Sequence, residues 1–161
     1  MPAGEAVPPA PPKSVLFVCN RNSLRSPIAE ALLKTWHGRD IFVDSVGVGE
    51  DAIDPLAVAV MEEIGLDISG HRPKRLDDLM DTSFDLVVTL SPEAHHRALE
   101  LTRTSAADVV YWTTPDPSAV EGTREQRLAA YRELRELLAR RIRERFGPDP
   151  RRRRGTARET G

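Results

Sequence analysis

The junction over residues 14–27 constrains this chain most. A continuous apolar run, Ser14–Cys19 (SVLFVC), ends in the only cysteine of the 161 residues. Six residues, NRNSLR, follow, and a helical pattern then opens at Ser26-Pro27. An unbroken apolar run bounded by polar residues reads as a strand covered on both faces. Ser26 and Pro27 fit a cap and a first helical residue, with Ile28, Leu32 and Trp36 at helical spacing before Gly38. The same alternation recurs. Strands are expected at 41–46, 84–90 and 108–112, and helices at 55–64, 92–101 and 123–146, with a short one at 76–80. The last helix carries Leu128, Tyr131, Leu134, Leu138 and Ile142 on one stripe. Strand–helix alternation with short connections implies an α/β domain: a doubly wound sheet of about four parallel strands flanked by helices. Ligands of such sheets bind beyond the carboxyl ends of the strands, here the loops after Cys19, Val46, Leu90 and Trp112.

The two ends are of a different kind. Five prolines fall in the first twelve residues, so 1–13 is expected to be a disordered tail. Residues 147–161, GPDPRRRRGTARETG, read as a disordered basic tail, which leaves 14–146 as the single folded domain. Net charge is −2, and without the four arginines at 151–154 it falls to −6. A nucleic-acid partner is therefore not expected. No apolar run is long enough for a membrane span, and the N-terminus lacks the apolar core of a secretory signal, so a cytoplasmic location is expected. One cysteine excludes an internal disulfide and a cysteine zinc cluster, and no fitting His/Asp/Glu set suggests a metal or other cofactor.

The loop after Cys19 suits an oxyanion. Backbone N–H groups of Asn20, Arg21, Asn22, Ser23 and Leu24 can converge on one point, to which the following helix N-terminus adds partial positive charge. Arg25 can grip two oxygens of a tetrahedral anion. The same field favours a thiolate at Cys19, making it a nucleophile, and the Ser26 hydroxyl is placed to donate to that sulfur.

Across this loop (CxxNSxRSPxAEAL) the chain resembles the low-molecular-weight protein tyrosine phosphatase family and its arsenate reductase relatives. SVGV after the second strand, GLDISGHRPKRL in the middle, VVTL on the third strand and PDPS near the end extend the likeness over about residues 14–146. The resemblance implies that Cys19 is the nucleophile, Arg25 the phosphate clamp and Ser26 the thiolate stabiliser. It further implies that Asn22 holds the loop in a left-handed conformation, braced by His71. Asp116, before Pro117, would be the acid that protonates the leaving oxygen and then the base for water. The implied activity is a phosphocysteine-forming phosphomonoesterase acting on a phosphorylated protein or a small aryl phosphate, with no metal.

Three departures bear on substrate. Family phosphatases usually have an aromatic residue after the second strand and often an aromatic pair after Asp-Pro. This chain has Gly47-Val48-Gly49-Glu50-Asp51 and Ser118-Ala119 there. Arg21 also stands where glycine is common. The segment WTTPDPSAVEGTREQRL looks more like the arsenate reductase branch, whose thioredoxin-linked members use further cysteines, one of them where this chain has Ser91. A reductase here would need an external small thiol. Two alternatives to the phosphatase therefore stay open: that single-cysteine reductase, and a non-catalytic phosphate-binding module.

Overall fold

The computed structural model describes residues 11–79 and 83–151. Four strands form one parallel sheet: β1 (Ser14–Cys19), β2 (Phe42–Gly47), β3 (Leu86–Thr89) and β4 (Asp108–Tyr111), in the order β2-β1-β3-β4. Four helices flank it: α1 (Arg25–His37), α2 (Pro55–Glu62), α3 (Pro92–Leu101) and α4 (Arg124–Phe146). Two short 3-10 turns, Leu76–Asp78 and Pro117–Ala119, sit in the connections, and the second was not foreseen. The expected doubly wound architecture is present; β1 spans its expected run, β2 lies one residue later than expected, and β3 and β4 are three residues and one residue shorter than their patterns.

β1 explains the layering. Its residues alternate across the sheet, because successive strand side chains point to opposite faces. Val15, Phe17 and Cys19 pack into the larger core with Ile28 and Leu32 of α1 and with the stripe of α4. Leu16 and Val18 face the smaller core, with Val87 of β3 and Ala94 and Ala98 of α3. Tyr131, Leu134, Leu138 and Ile142 are fully buried, each worth about 1.5–3 kcal/mol of apolar burial. Cys19, the last residue of a central strand, therefore sits at the carboxyl edge on the α1 and α4 side.

Helix starts are well marked, with one exception. Ser91 accepts from the Ala94 N–H to cap α3, Asp54 caps α2, and Thr123 and Gln126 form a reciprocal capping box on α4. α1 has no side-chain cap. Ser26 is the cap the sequence suggests, but the helix begins two residues earlier with Leu24 at the N-cap, and Ser26 lies inside the first turn. Its hydroxyl is turned onto Cys19, so the first-turn amides of α1 are left for something else.

The ends need one revision. Gly147–Arg151 lie against α1 rather than free of it: His37 meets the Gly147 carbonyl at 2.9 Å, Arg151 reaches the Thr35 carbonyl, and Asp149 is buried. Lys13 is likewise joined to the sheet through Phe42 and Asp85. The rest of both expected tails, 1–10 and 152–161, and Met80 of the expected short helix lie outside the described residues.

Candidate active site

Asn22 shapes the loop. It is fully buried and has φ of 53°, the only positive φ among the described non-glycine residues. Asparagine tolerates this left-handed region better than most residues. Its side-chain amide is saturated. Nδ2 donates to Ser26 Oγ at 2.8 Å and to Ser45 Oγ at 3.0 Å, while Oδ1 accepts from the Lys74 backbone N–H at 2.8 Å and from His71 Nε2 at 3.0 Å. Burial holds the His71 pKa below its usual value, so a neutral ring donates through Nε2.

The direction of these bonds fixes a proton. Ser45 donates to Glu30 Oε1 at 2.5 Å, which leaves its oxygen to accept from Asn22. Ser26 Oγ also accepts from Asn22, so its own hydrogen is free for Cys19 Sγ, 2.9 Å away, in preference to the longer contact with the Val46 carbonyl. The Ser26 N–H points at the same sulfur, at 3.4 Å. A thiolate at Cys19 thus receives a hydroxyl and an amide, and charged acceptors strengthen such bonds.

A second segment straps the loop from outside. N–H groups of Val48, Gly49, Asp51 and Asp54 donate to the carbonyls of Cys19, Asn20, Arg21 and Ser23 at 2.7–3.0 Å. The loop carbonyls are thereby turned outward, and its N–H groups remain for the cleft. This close approach requires Gly47, where a Cβ would lie 2.4 Å from the Gly49 carbonyl oxygen and 2.5 Å from the Asn22 nitrogen. All the blocking atoms are backbone. Gly47→Ala is expected to cost about 2–3 kcal/mol in urea unfolding; a loss below about 0.5 kcal/mol would show that the strap is not tight.

Arg25 opens α1 and is buried. Its Nη1 donates to the carbonyls of Leu90 and Thr114 at 3.3 and 3.4 Å. Nε and Nη2 make no bond with another described residue, leaving one edge of the guanidinium for a bidentate ligand. Asp116 accepts from Ser118 N and Oγ on Oδ1, which fixes the carboxyl within the 3-10 turn. Oδ2 has no partner among the described residues.

Cys19, Asn20, Arg21, Ser23, Leu24, Arg25 and Asp116 line one cleft of about 400 Å³. Of the other expected site residues, Asn22, Ser26 and His71 stand behind it, in the bonds just described. Sequence reasoning missed several residues. Ser45 and Ser91 are buried polar groups at strand or cap positions; Ser91 donates to Asn20 Oδ1 at 2.5 Å and so orients the loop. Asp54 lines the cleft and accepts from Tyr131 Oη at 2.6 Å; burial, then that bond, pushes the Tyr131 pKa upward. Arg127 and Ser118 also line it. A serine in the apolar pattern of β2 was a readable signal for Ser45; nothing in the sequence marked Arg127. No aromatic side chain lines the cleft among the described residues, and Trp112 packs on Phe17 in the core instead.

Residues 14–144 match the model of the family described as low molecular weight phosphotyrosine protein phosphatase. The chain is 35% identical over 130 residues to an arsenate reductase of Halalkalibacterium halodurans, covering 81% of this chain and 92% of that protein. Among solved structures, an arsenate reductase in its phosphate-binding state superposes with a TM-score of 0.66 at 31% identity, over 82% of this chain and 95% of the other. A protein tyrosine phosphatase does so with a TM-score of 0.68 at 26% identity, over 81% and 90%.

Proposed function

We propose that this chain, which belongs to the low molecular weight phosphotyrosine protein phosphatase family, is an arsenate reductase that works through Cys19 and an external small thiol. The observation that carries this over phosphotyrosine hydrolysis is the lining of the cleft. A phosphotyrosine ring needs an aromatic or apolar wall to stack on. The cleft offers arginines, aspartates and serines, with only Leu24, Ala52 and Pro55 apolar. A tetrahedral oxyanion needs none of that wall. The names of the relatives support the same choice.

The chemistry follows from the geometry. The oxyanion sits over the loop amides and the free edge of Arg25, which hold its oxygens. The Cys19 thiolate attacks arsenic: an S–As bond forms, and an oxygen departs as water after taking protons, one of them from Asp116. A thiolate then attacks Cys19 Sγ. An S–S bond forms, the S–As bond breaks, and its electron pair stays on arsenic, which leaves as arsenite. A second thiolate then attacks the sulfur of the first: an S–S bond forms between the two external thiols, the bond to Cys19 breaks, and Cys19 leaves as the thiolate. In sum, two thiols become one disulfide, arsenate becomes arsenite, and one water is released. Ser91 occupies the place of a second thiol, so both reducing equivalents come from outside the chain.

The test is arsenite release by the purified full chain supplied with arsenate and a small thiol. Release that requires both would support the reading. Hydrolysis of p-nitrophenyl phosphate with no arsenite under any thiol would overturn it.

One observation favours phosphomonoester hydrolysis as a second activity of the same site. Asp116 Oδ2 is free in the cleft, as a general acid and later a base for water would require. On this reading Asp116→Asn slows aryl phosphates with poor leaving groups about 10²-fold or more, and p-nitrophenyl phosphate far less. Equal losses on both would remove Asp116 from the acid role.

A further inference from the structure

Two guanidinium groups of the cleft have no partner among the described residues. Arg21, in the loop after β1, and Arg127, in the second turn of α4, both line it, and neither side chain makes a hydrogen bond or ion pair with another described residue. Further along α4, Arg132 and Arg135 are both paired with Glu63, away from the cleft lining. Arg21 lies along the strap, across Gly49, where a Cβ would stand at ordinary contact distance, 3.4 Å from its Nη1 and 3.7 Å from its Cδ.

The carboxylates of the same cleft form no ion pair with either group among the described residues. Asp54 is taken up by the Leu56 N–H and the Tyr131 hydroxyl, and Asp116 has one oxygen committed to Ser118. Asp51 and the second oxygen of Asp116 remain. The oxyanion itself is served by the loop amides and Arg25. A cleft of about 400 Å³ is within the range that takes whole small organic ligands, well beyond one tetrahedral ion.

We propose that Arg21 and Arg127 form a second anion subsite that takes the carboxylates of the external thiol. The co-substrate is therefore a low-molecular-weight thiol bearing carboxylate groups; this rests on the reductase reading of the same site. With its carboxylates held on the two guanidinium groups, the thiol presents its sulfur to the arsenic adduct on Cys19. Its thiolate forms the S–S bond to Cys19 Sγ, and the S–As electron pair leaves with arsenite. Arg21 and Arg127 are specificity residues for the thiol and take no part in proton or electron transfer.

The experiment compares glutathione, which carries carboxylates, with uncharged 2-mercaptoethanol as reductants of arsenate. The readout is the ratio of their kcat/KM values. Arg127→Ala and Arg21→Ala are each expected to lower that ratio about tenfold, the loss of one guanidinium–carboxylate contact. Arg127→Glu should lower it further, and Arg127→Lys should restore most of it. An unchanged ratio, or an equal fall for both thiols, would overturn the subsite.

A second measurement needs no arsenate: the rate at which Cys19 forms a mixed disulfide with oxidised glutathione, against bis(2-hydroxyethyl) disulfide. Suppose the wild-type protein reduces no arsenate with either thiol, yet Arg127→Ala still lowers this ratio about tenfold. The reductase reading then falls and the subsite stands. An unchanged ratio in the exchange reaction removes the subsite whatever the arsenate result.

Discussion

Cys19→Ser is expected to abolish turnover on arsenate and on p-nitrophenyl phosphate together, by about 10⁴-fold or more. The substitution changes one atom at the end of β1, where the side chain is buried against Ser26. Serine fits the space, so the fold and the loop amides should be preserved. What is lost is the sulfur on which the Ser26 hydroxyl and the Ser26 N–H converge. A neutral hydroxyl in the same position is a far weaker nucleophile, and the chain has no other thiol to take its place. The variant should still bind inorganic phosphate within a few-fold of the wild type, because Arg25 and the loop amides are untouched. Residual turnover above a few per cent would remove Cys19 from the reaction. A phosphate-binding module would also survive the change, but would show no turnover to lose.

Arg25→Lys is expected to cost about 10³-fold in kcat/KM for either substrate, with unfolding shifted much less. Arg25 is anchored on one side to the carbonyls of Leu90 and Thr114, which leaves its other edge for the oxyanion. A lysine ammonium is a point charge: it can satisfy one carbonyl or one ligand oxygen, but not the planar pair. Because its contacts strengthen as charge builds on the equatorial oxygens, the loss should fall mainly on kcat. A variant that kept kcat and lost only KM would place Arg25 in ground-state binding alone.

The parts of the site that the sequence revealed share one property: they are local. Cys19, Arg25 and Ser26 belong to one strand–loop–helix junction, so their spacing alone brings them to a common point. The sheet was legible for a similar reason, since a run such as Ser14–Cys19 must be covered on both faces. The supports were less legible from spacing, because they arrive from distant segments, and His71 was expected only through the family resemblance. Ser45 and His71 reach Asn22 across 23 and 49 residues, and Tyr131 reaches Asp54 across 77. The capping role expected of Ser26 failed because a serine in this setting has a stronger partner in the cysteine sulfur than in its own helix. Arg127 gave no signal at all, since one arginine among several on a charged helix becomes distinctive only when the fold brings it to the cleft. The substrate expectation moved for a comparable reason. The motif specifies oxyanion chemistry at Cys19, whereas the choice between aryl phosphate and arsenate lies in the walls, which are built from loops 51–55 and 116–118 and from α4.

The most direct test of the Cys19 chemistry is to stop single-turnover reactions with acid and locate the modified residue by peptide mass spectrometry. With arsenate and glutathione, the account predicts a glutathione mixed disulfide on Cys19 that appears only when arsenate is present and accompanies arsenite release. Arsenite formed while Cys19 stays unmodified throughout, or a modification carried on another residue, would contradict it.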